Sequence, residues 1–306
     1  MRILITGGTG NLAEYLIKEL EGQHELVLFD RLKPGEGRAE QITDHQYISG
    51  DLTVGEDCAR AVAGCQAIMH LGAIPSPTDS PDYEERAKAL GRPVYPYSET
   101  MRVNTMGTYE LMRAAVLAGV KTVVAITSNC VLGHGYRTSG KPFPFQYLPI
   151  DEEHPRDPED SYSVSKHFQS EIMFMFSRSH GIRSYALRPA GIQRPERQME
   201  LAKSVKPVEA WSEWLFGYND ITDVASALRM CLEAASDLPL YDGYYLNAAD
   251  TTVLDESLDI LRRFRPDLLD KLKGDLPGRA AFFSTEKARK AFGWQAKQSW
   301  TRFLNS

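Results

Sequence analysis

Short apolar strands alternate with amphipathic helices along most of this 306-residue chain, and this alternation restricts the possible folds more than any other feature. Strand patterns occur at 2–6, 25–30, 46–49, 67–72, 122–128, 183–189 and 244–248. Helical patterns occur at 12–20, 99–118, 161–179, 221–235, 252–264 and 284–292. A repeated strand–helix–strand order predicts an α/β fold with a doubly wound parallel sheet.

Two segments interrupt the alternation, 75–98 and 134–160, and both are rich in Pro, Gly, Tyr and charged residues. They follow the fourth and fifth strands, and an open α/β sheet binds its ligands at the carboxyl ends of its strands. We therefore expect both loops to contribute to function. The domain boundaries that we predict are a main domain of 1–193 plus 218–248 and a small, discontinuous lobe of 194–217 plus 249–306.

The first strand leads into the glycine-rich sequence TGGTGNLAEYL, residues 6–16. Gly7 permits a tight turn, Gly10 lets the backbone approach a pyrophosphate, and Ala13 is small enough for close helix–strand packing. The N-terminus of the following helix offers free N–H groups and positive potential to a phosphate. This strand–turn–helix context predicts a dinucleotide site, with a plain glycine-rich turn as the alternative.

Asp30 ends the second strand, 20 residues beyond Gly10. A carboxylate at this position accepts hydrogen bonds from the adenosine ribose and repels a 2′-phosphate, which predicts NAD rather than NADP. Arg31 weakens that prediction, because an arginine can bind the phosphate. Asp51 follows the third strand in GDLT and is a weaker candidate for contact with adenine.

The sequence SYSVSK, residues 161–166, places Tyr162 and Lys166 four positions apart. On a helix these side chains point the same way. A lysine cation beside a phenol favours the phenolate and lowers the phenol pKa, which would make the tyrosine a usable acid or base. The pattern alone is common, and a plain helix surface is the alternative interpretation.

Composition excludes several functional classes. The chain is 42% hydrophobic and 25% charged, with a formal net charge of -6 and no long basic run, so we expect no nucleic-acid partner. We find no signal peptide and no apolar run of ~18 residues that could span a membrane. Four cysteines without a C-x-x-C pair (Cys58, Cys65, Cys130, Cys231) indicate reduced thiols, and we predict a cytoplasmic protein.

Taken together, these residues resemble the extended short-chain dehydrogenases/reductases, also called the NAD-dependent epimerase/dehydratase family. The matching elements, in order, are TGGTGNLA, Asp30, GDLT, HLGAIP, VNTMGT, TSNCVLG, SYSVSK, LRPAGI and STEKARKAFGW. The resemblance spans nearly the whole chain. It implies a Rossmann domain with a small C-terminal substrate lobe, NAD as the cofactor, and no metal.

The resemblance also implies roles for four side chains. Tyr162 matches the catalytic tyrosine, which takes a proton from a substrate hydroxyl while a hydride passes to NAD. Lys166 matches the lysine that stabilises the phenolate and binds the nicotinamide ribose. Ser128 matches the hydroxyl that bonds the substrate oxygen, and Asn104 matches an asparagine that supports a water network. Capping of a strand end by Ser128 and a helix-surface amide at Asn104 are the alternatives.

The cofactor contacts that we predict combine these motifs. Leu71, Gly72 and Ala73 match the loop under the adenosine and pyrophosphate, and Pro189 matches the segment against the nicotinamide. The full predicted set is Gly7, Gly10, Asn11, Leu12, Asp30, Arg31, Asp51, Leu52, Leu71, Gly72, Ala73, Asn104, Tyr162, Lys166 and Pro189.

Departures from the family pattern narrow the reaction. Ser128 is followed by Asn129 and Cys130 rather than by the Asp-Glu pair of the dehydratases, so no general acid for elimination is supplied there. Phe216 stands where nucleotide-sugar epimerases carry an arginine for the diphosphate. The short lobe is similar to that of uronate dehydrogenase and related sugar-acid dehydrogenases. Four basic residues could hold a substrate carboxylate or a diphosphate, or could simply be solvated: Arg194, Arg197, Lys203 and Lys206.

Three hypotheses follow. The first is an NAD-dependent oxidoreductase that acts on a hydroxyl of a small sugar or sugar acid. The second is a nucleotide-sugar 4-epimerase, and the third is a non-catalytic NAD-sensing protein. We also expect a homodimer, because helices 99–118 and 161–179 match those that pair in family dimers. Their apolar residues could serve that interface or the internal core: Met101, Met106, Leu111, Met112, Ile172, Met173 and Met175.

Overall fold

The computed structural model describes residues 1–33, 36, 45–91 and 93–304 of the chain. Its strands are β1 (Arg2–Thr6), β2 (Glu25–Asp30), β3 (Gln46–Ser49), β4 (Ala67–His70), β5 (Thr122–Ile126), β6 (Arg183–Pro189), β7 (Gly191–Gln193), β8 (Tyr218–Asp220) and β9 (Tyr241–Leu246). Its α-helices are α1 (Asn11–Leu20), α2 (Gly55–Val62), α3 (Tyr83–Ala89), α4 (Glu99–Met101), α5 (Gly107–Leu117), α6 (Ser161–His180), α7 (Pro195–Ser204), α8 (Ile221–Glu233), α9 (Ser257–Phe264) and α10 (Glu286–Phe292).

Seven strands form one parallel sheet in the order β3-β2-β1-β4-β5-β6-β9. Helices α1 and α8 cover one face, and helices α2, α5 and α6 cover the other. The central strands are buried on both faces, which explains their continuously apolar sequences. The predicted doubly wound Rossmann fold is therefore confirmed.

Some predicted boundaries differ from the structure. The strands predicted to reach residues 72 and 128 end at His70 and Ile126, where the backbone turns into loops of the cleft described below. The last strand of the sheet is 241–246 rather than 244–248, because Tyr241 already pairs with Ser184 of β6. The helix predicted at 252–264 begins at Ser257.

Three helices were missed by the sequence reading, namely α2, α3 and α7. Each has ten residues or fewer and buries a narrow face of one to three side chains, so the window in which a helical period can be detected is short. In α2 that face is Cys58, Ala61 and Val62, two of which are small or weakly apolar. The segment 75–98, which was predicted to be a loop, contains α3.

The predicted helix 99–118 is continuous but irregular. Between α4 and α5 it passes through a π-helical segment, Arg102–Met106, that contains the buried Asn104. A π-helical turn inserts an extra residue into the helix and is frequent at functional sites.

The C-terminal part of the chain contributes a separate hydrophobic cluster, which includes Leu261, Leu268 and Phe282. Phe143 and Ile150 of the long loop pack into the same cluster, although the predicted boundaries assign that loop to the main domain. Strands β7 and β8 form a small parallel sheet beside it. The two-domain division itself stays a prediction.

All four cysteines are buried and free of disulfides, as expected for reduced thiols. Across the part of the chain that the structure describes, no helix combines the length and apolarity needed to cross a membrane.

Candidate active site

The glycine-rich turn after β1 lies against the loop that follows β4. Gly7 has a φ of +69°, and a Cβ at this position would lie 2.8 Å from the amide nitrogen of Gly72. Gly10 precedes the first residue of α1 and makes no side-chain cap. Ala13 is fully buried under the sheet, as the spacing predicted. The N-terminus of α1 is therefore open towards a ligand, which is the arrangement that a phosphate requires.

A cleft of about 910 Å³ opens beside this turn, at the carboxyl ends of β1, β2 and β4. Its lining contains most of the predicted cofactor residues: Gly7, Gly10, Asn11, Asp30, Arg31, Asp51, Leu52, Leu71, Gly72 and Ala73. Leu12 is not in the lining and packs against the core instead. The side-chain oxygen of Asn11 is buried without a hydrogen-bond partner among the described residues. The cleft volume, the open helix terminus and this free acceptor fit a dinucleotide.

Asp30 is held by the glycine-rich turn. Its Oδ2 atom accepts hydrogen bonds from the amide of Thr9 at 3.1 Å and from the hydroxyl of Thr9 at 2.8 Å. The amide of Leu32 donates to the other oxygen at 3.2 Å. The carboxylate thus lies on the cleft wall with its position set by β1 and β2 together, where the sequence predicted a ribose contact.

Arg31 lines the same cleft and is held there by neighbouring side chains. Its guanidinium lies 4.6 Å from the centre of the Tyr95 ring and 3.4 Å from the buried carboxylate of Glu99. Arg102 also bonds Glu99 at 2.9 Å and reaches Asp51 at 3.4 Å. Burial raises the pKa of Asp51, but hydrogen bonds from Thr53 and the Arg102 charge outweigh burial, and the net shift is downward. This network neutralises much of the charge that Arg31 could offer to a 2′-phosphate.

Tyr162, Lys166 and Ser128 converge where β5 ends against α6. Burial raises the pKa of Tyr162 and the neighbouring Ser128 side chain lowers it, so the two side chains are close enough to interact. The Lys166 ammonium lies 5.9 Å from the centre of the Tyr162 ring. Ser128 also caps the short 3₁₀ helix Asn129–Leu132 by accepting from the amide of Cys130 at 3.1 Å. The capping alternative for Ser128 is thus compatible with its predicted site role.

The protonation states differ from the expectation that Lys166 lowers the phenol pKa. Burial raises the pKa of Tyr162, and burial lowers the pKa of Lys166 to about 7. The cause is desolvation, which penalises both the phenolate and the ammonium when neither has a close counter-charge. The phenol of Tyr162 is therefore neutral at physiological pH in the protein without a dinucleotide.

Asn104 connects the cleft loop to α6. Its Oδ1 accepts from the amide of Ile74 at 2.8 Å, and its Nδ2 donates to the Ile74 carbonyl at 3.1 Å. Nδ2 also donates to the hydroxyl of Ser165 at 2.9 Å, and that hydroxyl donates to the carbonyl of Tyr162 at 2.8 Å. Asn104 is therefore a buried residue rather than a surface amide. It bonds α6 at Ser165, which lies about one helical turn after Tyr162.

Several predicted residues lie outside the lining of the cleft. Asn104, Tyr162 and Lys166 lie deeper, and Pro189 is buried at the end of β6. The basic residues of 194–206 also lie elsewhere. Arg194 pairs with Glu14 at 2.7 Å, and Arg197 pairs with Glu200 at 2.9 Å. Lys203 and Lys206 are exposed.

Some residues of the site were missed by the sequence reading. Thr9, Tyr95 and Tyr136 line the cleft, and Trp214 packs against Tyr136 with ring centres 5.0 Å apart. Thr9 lies inside the glycine-rich sequence, and the signal for Tyr95 and Tyr136 was the enrichment of tyrosine in the two long loops. No spacing rule connects those loops to Trp214, which lies in the segment 194–217.

The sheet and its glycine-rich turn define a dinucleotide-binding protein of the Rossmann type. The chain belongs to the NAD dependent epimerase/dehydratase family, whose family model matches residues 3–239. The resemblance stated from the motifs is thereby confirmed. Members of this family are NAD-dependent enzymes, and NAD is the cofactor of the family.

Similar proteins have different activities. Uronate dehydrogenase of Pseudomonas syringae pv. tomato is 28% identical over 198 residues, which are 64% of this chain and 61% of that protein. The 3-beta-hydroxysteroid dehydrogenase of Mycolicibacterium neoaurum is 29% identical over 198 residues, 62% of this chain and 47% of that protein. The chain thus spans about half to three-fifths of these curated relatives.

Solved structures share the fold along the whole chain. UDP-glucose 4-epimerase of Thermotoga maritima, solved with UDP-glucose, has a TM-score of 0.69 at 18% identity, covering 99% of this chain and 96% of that one. A short-chain dehydrogenase/reductase of Agrobacterium tumefaciens with bound NAD has a TM-score of 0.69 at 20% identity, covering 99% and 95%. At this identity the likeness shows the fold alone.

Proposed function

We propose that the chain is an NAD-dependent oxidoreductase that transfers a hydride between NAD and a hydroxyl-bearing carbon of a sugar or sugar acid. The observation that carries this proposal is the convergence of Ser128, Tyr162 and Lys166: the Lys166 ammonium bonds the carbonyl of Ile126, two residues before Ser128, at 3.2 Å and lies 5.9 Å from the centre of the Tyr162 ring. A protein that only senses a dinucleotide has no need of a serine and a tyrosine beside a buried lysine.

The side chains have distinct roles in this proposal. Ser128 donates a hydrogen bond to the substrate oxygen, while Tyr162 exchanges a proton with the same oxygen. NAD, when bound, supplies the hydride acceptor. A neutral Tyr162 is ready to donate a proton, which suits reduction of a carbonyl. The oxidising direction requires the phenolate, which a protonated Lys166 stabilises.

The nucleotide-sugar epimerase alternative lacks the arginine that the family pattern places at position 216, although Arg31 and Arg86 line the cleft. Phe216, which replaces the arginine, packs against the hydrophobic cluster of the lobe. Arg194 and Arg197 are paired with Glu14 and Glu200. A diphosphate needs charge-assisted hydrogen bonds, and these residues do not provide them in this arrangement.

Two measurements test the proposed function. First, freshly purified protein is denatured and any released dinucleotide is identified and quantified by mass spectrometry. An epimerase must retain its cofactor through both half-reactions, so near-stoichiometric NAD would favour that alternative. Little bound NAD would support a dehydrogenase, and bound NADP would contradict the role of Asp30.

Second, Tyr162→Phe is compared with the wild type in NADH formation from aldoses and uronic acids. We expect turnover to fall by about 100-fold or more while NAD affinity by calorimetry changes little. Tyr97→Phe, a change at a tyrosine that is 74% exposed, serves as the control and should retain full turnover. An equal loss of NAD affinity and turnover in Tyr162→Phe would remove its catalytic role.

A further inference from the structure

Trp214 differs from the other tryptophans of the chain in its exposure. It is 41% exposed, whereas Trp294 and Trp300 are at most 1% exposed and Trp211 is partly covered by the lobe. Its ring lies nearly perpendicular to that of Tyr136, with 5.0 Å between centres. Tyr136 lines the cleft and lies 6.0 Å from the ring of Tyr162. The Tyr136 ring therefore lies between the exposed Trp214 indole and Tyr162, the proposed proton donor.

The backbone beside Trp214 is strained. Leu215 and Phe216 have φ values of 56° and 52°, and both are in the left-handed region that non-glycine residues rarely adopt. Two such residues in succession persist only where the surroundings enforce them, and this strain is concentrated at binding and active sites. Leu215 is fully buried in the lobe cluster, which holds the segment in place. With this backbone conformation, Trp214 is exposed while the next residue, Leu215, is buried.

The loop after β5 is shaped to receive the indole. A Cβ on Gly135 would lie 2.5 Å from ring atoms of Trp214, so only glycine permits this approach. The buried ring of His134 lies 5.9 Å from the indole on the same side. Two segments nearly 80 residues apart therefore form one aromatic corner, defined as Tyr136 and Trp214.

We propose that this aromatic corner binds the apolar C–H face of a pyranose ring and orients it towards Tyr162. The inference rests on the proposed function and deepens it by naming how the substrate is recognised. Ligand sites combine aromatic walls with a few polar groups, and here Ser128 and Tyr162 are the polar groups. The negative face of an aromatic ring attracts C–H groups and offers no attraction to a phosphate, so the corner contacts the sugar ring itself.

The test uses the protein with NAD present and follows quenching of tryptophan fluorescence by acrylamide. The probes are D-glucose, D-glucuronate, D-galacturonate and UDP-glucose. Because Trp214 is the most exposed indole, a sugar that covers it should reduce quenching in the wild type. This protection should vanish in Trp214→Phe and should persist in the control Trp211→Phe, whose ring packs against Phe145 and Phe282 inside the lobe.

Kinetics give the second readout for any free sugar that is turned over. Trp214→Ala should raise KM by about ten-fold with a smaller change in kcat, and Trp214→Phe should recover most of the loss. NAD affinity should stay unchanged in both variants, which also verifies folding. An unchanged KM in Trp214→Ala would overturn the inference.

The fluorescence and turnover results together distinguish failure of the proposed oxidoreductase function from failure of the aromatic corner. Protection of Trp214 by a free sugar without any NADH formation would support the aromatic corner and count against the oxidoreductase. Turnover of a sugar that does not protect Trp214 would support the oxidoreductase and count against the aromatic corner. Absence of protection by every probe would overturn the aromatic corner.

Discussion

The ammonium of Lys166 lies 3.2 Å from the carbonyl oxygen of Ile126, the last residue of β5. Its other hydrogen bond goes to the amide oxygen of Gln169 at 3.0 Å. Both partners are neutral, so they do not offset the loss of solvation. Burial therefore lowers the pKa of Lys166 to about 7 from its ordinary value of 10.5.

This shift predicts a pH-dependent stability in the protein without NAD. Between pH 7 and 10.5 the unfolded chain binds a proton at Lys166 that the folded chain does not, so stability rises with pH in this range. The contribution approaches about 1.4 kcal/mol per pH unit. We expect Lys166→Met to abolish it, as measured by urea unfolding of both proteins at several pH values. If the free energy of unfolding changed with pH in the same way in the wild type and in Lys166→Met, the lowered pKa of Lys166 would be contradicted.

The contact between Gly7 and Gly72 predicts a second result. Gly7→Ala forces a side chain into a left-handed position and drives its Cβ to within 2.8 Å of the Gly72 amide. Gly22 has a φ of +81° with open space around it, so Gly22→Ala is a matched control for the backbone cost alone. We expect Gly22→Ala to cost about 1–2 kcal/mol in the free energy of unfolding. Gly7→Ala should lower the free energy of unfolding by more than Gly22→Ala does, and it should also weaken NAD binding as measured by calorimetry. Equal losses of stability in the two variants would contradict the close approach of Gly7 to Gly72.

Asp30 provides a test of dinucleotide choice. Asp30→Ala should weaken NAD more than NADP, because the ribose acceptor and the repulsion of a 2′-phosphate disappear together. Thr9→Val removes one donor to Asp30 but leaves the carboxylate in place, and it should change the ratio of the two affinities little. Fluorescence titration with NADH and with NADPH measures the two affinities in each variant. An unchanged ratio in Asp30→Ala would place the ribose elsewhere.

Asn104 is expected to matter for stability as well as for the site. Asn104→Ala leaves the amide and carbonyl of Ile74 without their side-chain partner, which should cost about 1–3 kcal/mol in the free energy of unfolding. Ser165→Ala removes a single bond of the same network and should cost less. Chemical denaturation of both variants gives the comparison. A smaller cost for Asn104→Ala than for Ser165→Ala would show that the tie to Ile74 is weak.

The predicted homodimer can be tested on α5 and α6. Leu111, Met112 and Met173 belong to the internal core, whereas Met106 and Met175 are 51% and 37% exposed. Three more exposed apolar side chains lie on the same two helices: Tyr109, Leu117 and Phe168. We propose that these side chains pair two copies. Phe168→Arg should then shift the sedimentation coefficient from dimer to monomer, whereas Leu254→Arg, an exposed change in the lobe, should not.

The fold was largely predictable because its signals are local. Each strand of a buried parallel sheet is a continuous apolar run, and the order of runs and helices restricts the topology. The glycine-rich turn was recognisable for the same reason, since Gly7, Gly10 and Ala13 act within one turn and one helix. Short helices such as α3 were missed because seven residues carry too little periodicity.

The candidate site was predictable only in part. Tyr162 and Lys166 are four residues apart on one helix, so their spacing is a local property. The burial that sets their protonation is not local, because it depends on the strands and helices that pack around α6. The sequence therefore indicated the pair correctly as neighbours, but the expected direction of the Tyr162 pKa shift was wrong for the protein without NAD.

The sequence by itself determined the parallel sheet, the dinucleotide turn and the family, because these depend on spacings within single elements. Tertiary structure alone decided that Glu99 and Tyr95 engage Arg31, that Asn104 ties Ile74 to α6, and that Trp214 meets Tyr136. These contacts join segments about 30 to 80 residues apart along the chain. Their existence depends on how helices and loops pack over the sheet, and packing is a property of the whole fold that no local pattern records.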